Sequence, residues 1–198
     1  GSEMCIRDSC YADFKYQICG KLPAALIFKG KYDIIYKVSY LKGQFILKPV
    51  NLKFKGLGSY FGESEINFGS LDDVFLICGE TGSGKTTILD AMMFALYGES
   101  SGGERSELLN GHYTKKDGEA YSVFEFELSG KRYRFSRTFT PKARAEGWNE
   151  YQDCAFYDTE KEMWQPYFDN PRQKDVNAQA VKLLGLTAEQ FRQVVILP

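Results

Sequence analysis

The sequence lacks the features that mark membrane, secreted and zinc-binding proteins. No apolar run reaches the roughly 18–20 residues that a membrane-spanning helix needs, and no basic flank followed by an apolar segment marks a secretory signal. The five cysteines form no CxxC pair, and the single histidine has no spacing to them that suits zinc. We therefore expect a cytoplasmic protein in a reducing environment, with no membrane partner.

The chain also lacks a large excess of either charge and the composition of a disordered protein. Its formal net charge is −1 over 198 residues, so any basic surface for nucleic acid must be local. Hydrophobic residues make up 43% and charged residues 26%, which is ordinary for a globular protein. The length predicts one domain with a sizeable core.

Residues 1–46 differ from the rest of the chain. They contain Cys5, Cys10 and Cys19, and their tyrosine, isoleucine and lysine residues follow no single period. Segments such as residues 33–40 alternate weakly enough to be a strand. We interpret residues 1–46 as an N-terminal extension of doubtful authenticity, produced by a mispredicted start, and we expect the domain to comprise residues 47–198.

The segment after residue 47 predicts an antiparallel hairpin. Val50, Leu52 and Phe54 alternate with polar residues, which is typical of a half-buried strand. A glycine-rich turn at 56–62 and a short second strand at 64–68 complete the hairpin.

A second hairpin is predicted at residues 119–139. If Ser129 and Gly130 form a two-residue turn, the aromatic residues pair on one face and the glutamates oppose the arginines on the other. The predicted pairs are Leu128 with Lys131, Phe126 with Tyr133, Phe124 with Phe135, Glu127 with Arg132, and Glu125 with Arg134.

A buried strand and a buried helix lie between the two hairpins. Residues 74–78 are all apolar, which is typical of a strand covered on both faces within a mostly parallel sheet. Residues 86–97 predict a helix that is apolar on nearly all sides and ends at Gly98. We therefore predict an α/β fold with an antiparallel β-subdomain and a mostly parallel core sheet.

The C-terminal third predicts one more strand and two helices. Residues 151–157 are typical of a strand, and residues 175–184 of an amphipathic helix that ends at Gly185. Thr187 and Gln190 have the spacing of a capping box that opens a second helix.

The motif that carries chemistry is G-x-x-x-x-G-K-[ST] at residues 79–86, between the buried strand and the buried helix. Glycines let the chain curl until its N–H groups point at phosphate oxygens, and the helix that follows adds its positive dipole end. Lys85 would contact the β- and γ-phosphates, and the Thr86 hydroxyl would bind Mg²⁺. The alternative is a structural glycine turn. The predicted ATP-binding residues are Gly79, Glu80, Thr81, Gly82, Ser83, Gly84, Lys85, Thr86 and Thr87.

The chain resembles the SbcC family, the bacterial ATPase partners of the SbcD nuclease. The resemblance covers about residues 47–198 and is carried by the first hairpin, the loop and helix GETGSGKTTILDAMMFALYG, and the closing FRQVVILP. The Asp90-Ala91 pair is similar to the SbcC, SMC and RecN group more than to ABC transporters. This resemblance implies the N-terminal lobe of an ABC-type P-loop NTPase head, truncated just before the Q-loop glutamine.

The same resemblance implies a function and partners. Two such heads would form a head-to-head dimer around two Mg-ATP molecules and regulate an SbcD-type nuclease at double-stranded DNA ends, in DNA repair and recombination. Relatives with an Arg-Ser pair in the first hairpin place that arginine near the nucleotide. Because this chain has Gly58-Ser59, only backbone and Ser59 contacts are expected. The resemblance places the coiled coil and remaining motifs beyond residue 198, so we expect this fragment alone to hydrolyse almost no ATP.

Other functions and other signals stay open alternatives. An SMC- or RecN-like coiled-coil ATPase would act on DNA without a nuclease partner, and a small-molecule P-loop kinase is a more distant alternative. The SSGGE string at residues 100–104 imitates an ABC signature, but its position favours a glycine-rich loop. His112 has no identifiable partner, which favours a solvated loop residue over a catalytic base. No catalytic residue is identifiable in this sequence.

A basic and aromatic stretch at residues 131–144 is the candidate DNA surface. The predicted cross-strand pairing neutralises Arg132 and Arg134. Arg137, Lys142 and Arg144 therefore stay as the candidate phosphate contacts.

Overall fold

The computed structural model describes residues 5–7, 28–29, 33–37, 47–71, 74–78, 81–100, 118–142 and 148–195. Its strands are β1 Cys5–Arg7, β2 Phe28–Lys29, β3 Asp33–Lys37, β4 Leu47–Lys55, β5 Ser64–Asn67, β6 Val74–Cys78, β7 Ala120–Leu128, β8 Lys131–Pro141, β9 Trp148–Asp158 and β10 Met163–Pro166. Its helices are the 3-10 turn Phe68–Ser70 and the α-helices α1 Lys85–Tyr97, α2 Gln173–Leu184 and α3 Ala188–Val195.

The six strands β10-β9-β8-β7-β4-β5, in that spatial order, form one sheet in which every described pair is antiparallel. The β7–β8 hairpin is confirmed in the predicted register, from Leu128 opposite Lys131 to Phe124 opposite Phe135. Ser129 and Gly130 have φ angles of 53° and 74°, as a type I′ turn requires. A local turn signal and a period of two therefore determined this register.

The first hairpin lies where the sequence predicted it, but not every residue of β4 lies on the predicted face of the sheet. Leu52 and Phe54 are buried, whereas Val50 is only half-buried and Pro49 is buried instead. A β-bulge between Pro49 and Asn51 changes the register against β7, so residues before the bulge alternate in the opposite phase. The predicted alternation through Val50 was wrong for this reason.

The strand that precedes the glycine-rich loop, β6, lies in a second sheet with the order β1-β6-β3-β2. Its described neighbours β1 and β3 both run antiparallel to it, so the mostly parallel core sheet is not confirmed. An apolar run indicates that both faces of a strand are covered, but it carries no information about the direction of the neighbouring strands. The weak alternation at residues 33–40 does correspond to a strand, β3.

Helix α1 lies against the six-stranded sheet and forms the centre of the core. Ten of its thirteen residues are buried, and Phe94 contacts Phe139 of β8 with ring centroids 5.1 Å apart. The helix ends at Gly98, whose φ of 72° allows its N–H to donate to the Phe94 carbonyl. The buried helix predicted from the sequence, with its end at Gly98, is confirmed.

Helices α2 and α3 pack on the C-terminal end of α1. The Tyr97 hydroxyl donates to the Leu186 carbonyl at 2.9 Å, and its ring lies 5.6 Å from that of Phe191. The predicted capping box is confirmed, since the Thr187 and Gln190 side chains each accept from the other's backbone N–H. None of the helices in the described ranges is long and apolar enough to span a membrane.

Candidate nucleotide-binding site

The glycine-rich loop connects β6 to α1, as the motif requires, and the structure describes it from Thr81 onwards. Gly79 and Glu80 lie outside the described residues. Gly82 and Gly84 have φ angles of 85° and 89°, in the left-handed region that side chains disfavour. The two glycines are therefore required by the path of the loop itself.

The first hairpin loop touches this glycine-rich loop. A Cβ atom on Gly84 would lie 2.7 Å from Ser59 Oγ and 2.6 Å from Cε2 of Tyr60. A Cβ atom on Gly58, whose φ is 52°, would lie 2.6 Å from Thr87 Oγ1. The structure thus brings Ser59 and Thr87 to the P-loop, where the sequence predicted them, although their contact with a nucleotide stays a prediction.

Tyr60 is a neighbour of the loop that the sequence motifs did not single out. Its backbone N–H donates to the Leu57 carbonyl at 2.9 Å, and its ring packs edge-on against Phe54 at 4.9 Å. Burial raises the pKa of the Tyr60 hydroxyl. The ring therefore forms a fixed wall against Gly84, and only its place in a glycine-rich turn could have suggested this.

The N-terminal end of α1 has the features of an anion-binding site. Its N-cap is Gly84, and among the described residues no side chain caps it and no acid lies in its first turn. The first N–H groups of a helix have no intrahelical acceptor, and the helix dipole makes this end positive. Ser83 Oγ is buried and has no hydrogen-bond partner within the described part of the chain. A buried orphan hydroxyl beside such a helix start fits a phosphate oxygen.

Lys85 and Thr86 open α1 at the same place. The Lys85 side chain is half-buried, Thr86 is exposed, and Thr87 turns into the core with 9% of its surface exposed. A lysine ammonium and an exposed hydroxyl are the donor set that phosphates and a magnesium ion use. The residues present therefore fit a magnesium nucleotide.

A family model described as an AAA domain matches residues 51–198. The chain belongs to the AAA domain family.

Three relatives of this AAA domain share one name, that of the SbcC component of nuclease SbcCD, which confirms the resemblance to that family. The chain is 37% identical over 158 residues to the protein of Vibrio cholerae serotype O1, 32% over 155 residues to that of Treponema pallidum, and 37% over 157 residues to that of Staphylococcus aureus strain MRSA252. Each match covers 77% of this chain but only 15–16% of the relative. The chain therefore spans about one sixth of the length of these proteins.

The AAA domain does not present Arg137 to DNA, contrary to the prediction. Arg137 is fully buried in β8, and its guanidinium donates to the Ala95 and Leu96 carbonyls of α1. Alternation along β8 places the side chain of Arg137 on the same face as Phe135 and Phe139, which is the core face. Lys142 is exposed and stays a predicted phosphate contact, and Arg144 lies outside the described residues.

The side chains of the other two arginines of β8 interact with residues other than their predicted partners. Arg132 lies opposite Glu127 in the register, yet its guanidinium binds the diagonal Glu125 at 3.0 Å. Arg134 stacks over the Trp164 ring at 4.6 Å. The register was predicted correctly, whereas the choice of partner depends on side-chain reach across two strands.

Of the SSGGE string at residues 100–104, the structure describes only Ser100. Ser100 is buried and its carbonyl accepts from Arg192 at 3.3 Å, while residues 101–104 lie outside the described residues. His112 also lies outside them. No cluster of three metal-binding side chains occurs among the residues that the structure describes.

Proposed function

We propose that this chain binds ATP with Mg²⁺ at its P-loop as part of the ATPase subunit of a nuclease complex. The observation that carries the proposal is the start of α1, where two left-handed glycines, a helix end with no side-chain cap among the described residues and the orphan Ser83 hydroxyl lie within residues 82–85. No structural glycine turn needs all of these features together.

The residues of the loop would divide the binding between them. The backbone N–H groups around Gly82 and Gly84 donate to phosphate oxygens, and Ser83 gains the partner that it lacks within the described fold. Lys85 brings a positive charge to the outer phosphates. Thr86 would hold Mg²⁺, which supplies charge neutralisation on the phosphates when bound.

The wider activity is proposed from the relatives. They are named as a subunit of nuclease SbcCD, which supports a role beside an SbcD-type nuclease at double-stranded DNA ends, in an ATP-dependent dimer of two copies. Their names favour this proposal over an SMC- or RecN-like ATPase and over a small-molecule kinase. A cytoplasmic location and negligible hydrolysis by this chain alone stay predictions.

Calorimetric titration of Mg-ATP into the 198-residue chain tests the nucleotide site. Lys85→Ala should weaken binding by about 100-fold or abolish it, because a charge-assisted contact to phosphate contributes about 1.5–3 kcal/mol and more when desolvated. The matched control is Lys131→Ala, which removes the same charge from the exposed β7–β8 turn. Equal ATP affinity for the two variants, both folded by circular dichroism, would overturn the proposal.

A further inference from the structure

Arg137 is a buried cation that the proposed function does not use. None of its surface is exposed, although it lies in the middle of β8. Burying a guanidinium is costly unless each donor is satisfied, so its partners are informative about its role.

Two of its partners are the carbonyls of Ala95 and Leu96, which accept from Nε and Nη2 at 3.2 Å each. These carbonyls belong to the last turn of α1, where the intrahelical acceptors have no N–H left to bind. The C-terminal end of a helix is also the negative end of its dipole. Arg137 therefore satisfies both the hydrogen bonding and the charge of this helix end.

The same guanidinium joins two further elements. Nη2 donates to Asn177 Oδ1 of α2, and Nη1 forms an ion pair with Glu150 of β9 at 3.3 Å. Arg137 thus links β8, β9 and α2 to the end of the helix that begins at the P-loop. A lysine has one nitrogen and could not reach these partners together.

Ser122 adds a second attachment between the sheet and α1. It lies directly opposite Arg137 in the β7–β8 register, and its buried hydroxyl donates to the Ala91 carbonyl at 2.7 Å. Ala91 and Ala95 are four residues apart on one face of the helix and are both fully buried. Their small side chains allow the close approach that these bonds need.

We propose that Arg137 is a positioning residue for the P-loop, held in place by Glu150 and Asn177 and assisted by Ser122. Helix α1 is about 20 Å long at about 1.5 Å per residue, and its intrahelical hydrogen bonds couple the orientation of its two ends. A tilt at its C-terminal end therefore displaces the amides at its N-terminal end, which must match the phosphate oxygens closely. This inference rests on the proposed nucleotide site.

The test measures Mg-ATP affinity and the free energy of unfolding of the 198-residue chain for each variant. Arg137→Lys retains the charge but loses the planar fork, and we expect binding to weaken about tenfold, within the range found for residues that act through a rigid element. Ser122→Ala should weaken binding about threefold. The control is Tyr133→Leu, on the same strand and core face, whose ring stacks on Phe126. It should lower stability and leave ATP affinity within about twofold.

The outcomes separate the two proposals. If Arg137→Lys and Ser122→Ala bind Mg-ATP as tightly as the wild type, Arg137 has a purely structural role and the inference is overturned. The inference is also overturned if their loss of Mg-ATP affinity is no larger than that of Tyr133→Leu at an equal loss of stability. If Arg137→Lys does not fold, Ser122→Ala and Asn177→Ala decide in its place. Absence of Lys85-dependent binding in the wild type would instead overturn the nucleotide site, and the inference with it.

Discussion

Gly84 shows how two separate constraints act on one residue. Its φ of 89° requires a left-handed backbone, and a Cβ atom there would lie 2.6 Å from the Tyr60 ring. The ring cannot move away easily, because it packs on Phe54. Both constraints lie at the point where the first hairpin loop supports the P-loop.

We expect Gly84→Ala to lower the free energy of unfolding by about 2–4 kcal/mol, as the sum of backbone strain and the steric clash. Gly130→Ala is the matched control, since Gly130 has a φ of 74° but no atom within 4 Å of an added Cβ. That variant should lose only about 1–2 kcal/mol. Urea unfolding measures both values, and equal losses would show that the contacts of the added Cβ atom with Ser59 and Tyr60 contribute nothing.

The thiol of Cys154 predicts a pH dependence of stability. Burial, followed by the charge of Asp153, raises its pKa from 9.0 to about 12, although Arg137 opposes the shift. The folded protein therefore keeps the thiol neutral at pH values where the unfolded chain ionises it. This contribution is fully present below pH 9.0 and is lost as the pH rises towards 12.

Between pH 9.0 and about pH 10 the wild type should lose about 1 kcal/mol more stability than Cys154→Ala, because the thiol is absent from the variant. Ionisation of tyrosines affects both proteins and cancels in the comparison. Urea unfolding at a series of pH values provides the measurement. Parallel pH profiles for the two proteins would contradict the buried neutral thiol.

At the scale of single residues, the sequence predicted the placement of local motifs better than the burial of individual side chains. The motif predicted Lys85 and Thr86 at the start of a helix because the motif is local and its geometry depends on neighbouring residues. Arg137 was misplaced because net charge and spacing carry no information about burial. Arg137 lies two residues from Phe135 and two from Phe139 along the strand, and this spacing was the signal that could have shown that its side chain faces the core.

At the scale of elements, the β7–β8 hairpin depends on its two-residue turn. Ser129 has a φ of 53°, which asparagine tolerates better than serine in a type I′ turn before glycine. We expect Ser129→Asn to raise the free energy of unfolding by about 0.5 kcal/mol. Ser136→Asn, the same change within the extended backbone of β8, should not stabilise the protein. A stability gain in both variants would assign the effect to something other than the turn.

Elements were predictable where their signals were local. The hairpin register, the end of α1 at Gly98 and the capping box of α3 each depend on a few adjacent residues, and all three are confirmed. The bulge at Pro49 was not predictable, because it is a mismatch between β4 and the distant β7. The predicted parallel direction of the strands beside β6 is not confirmed for a similar reason, since the described neighbours of β6 come from residues far away in the chain.

At the scale of the whole molecule, nucleotide binding should raise the free energy of unfolding. A ligand that binds only the folded state adds about 2.7 kcal/mol at a concentration 100 times its dissociation constant. We therefore expect Mg-ATP to raise the urea midpoint of the wild type and of Lys131→Ala, but not of Lys85→Ala. An equal shift in the Lys85 variant would place the binding elsewhere on the molecule.

The arrangement around β6 has a consequence for the strand that precedes the P-loop. The strand β1 pairs with Leu76, Ile77 and Cys78 on one edge of β6, and β3 pairs with all five residues on the other edge, so most of the backbone donors and acceptors of β6 are already in use. Any additional strand that aligned with β6 would have to displace one of these two segments. Both β1 and β3 are thus direct competitors for the edges of β6, and each exchange would cost the hydrogen bonds of a whole ladder.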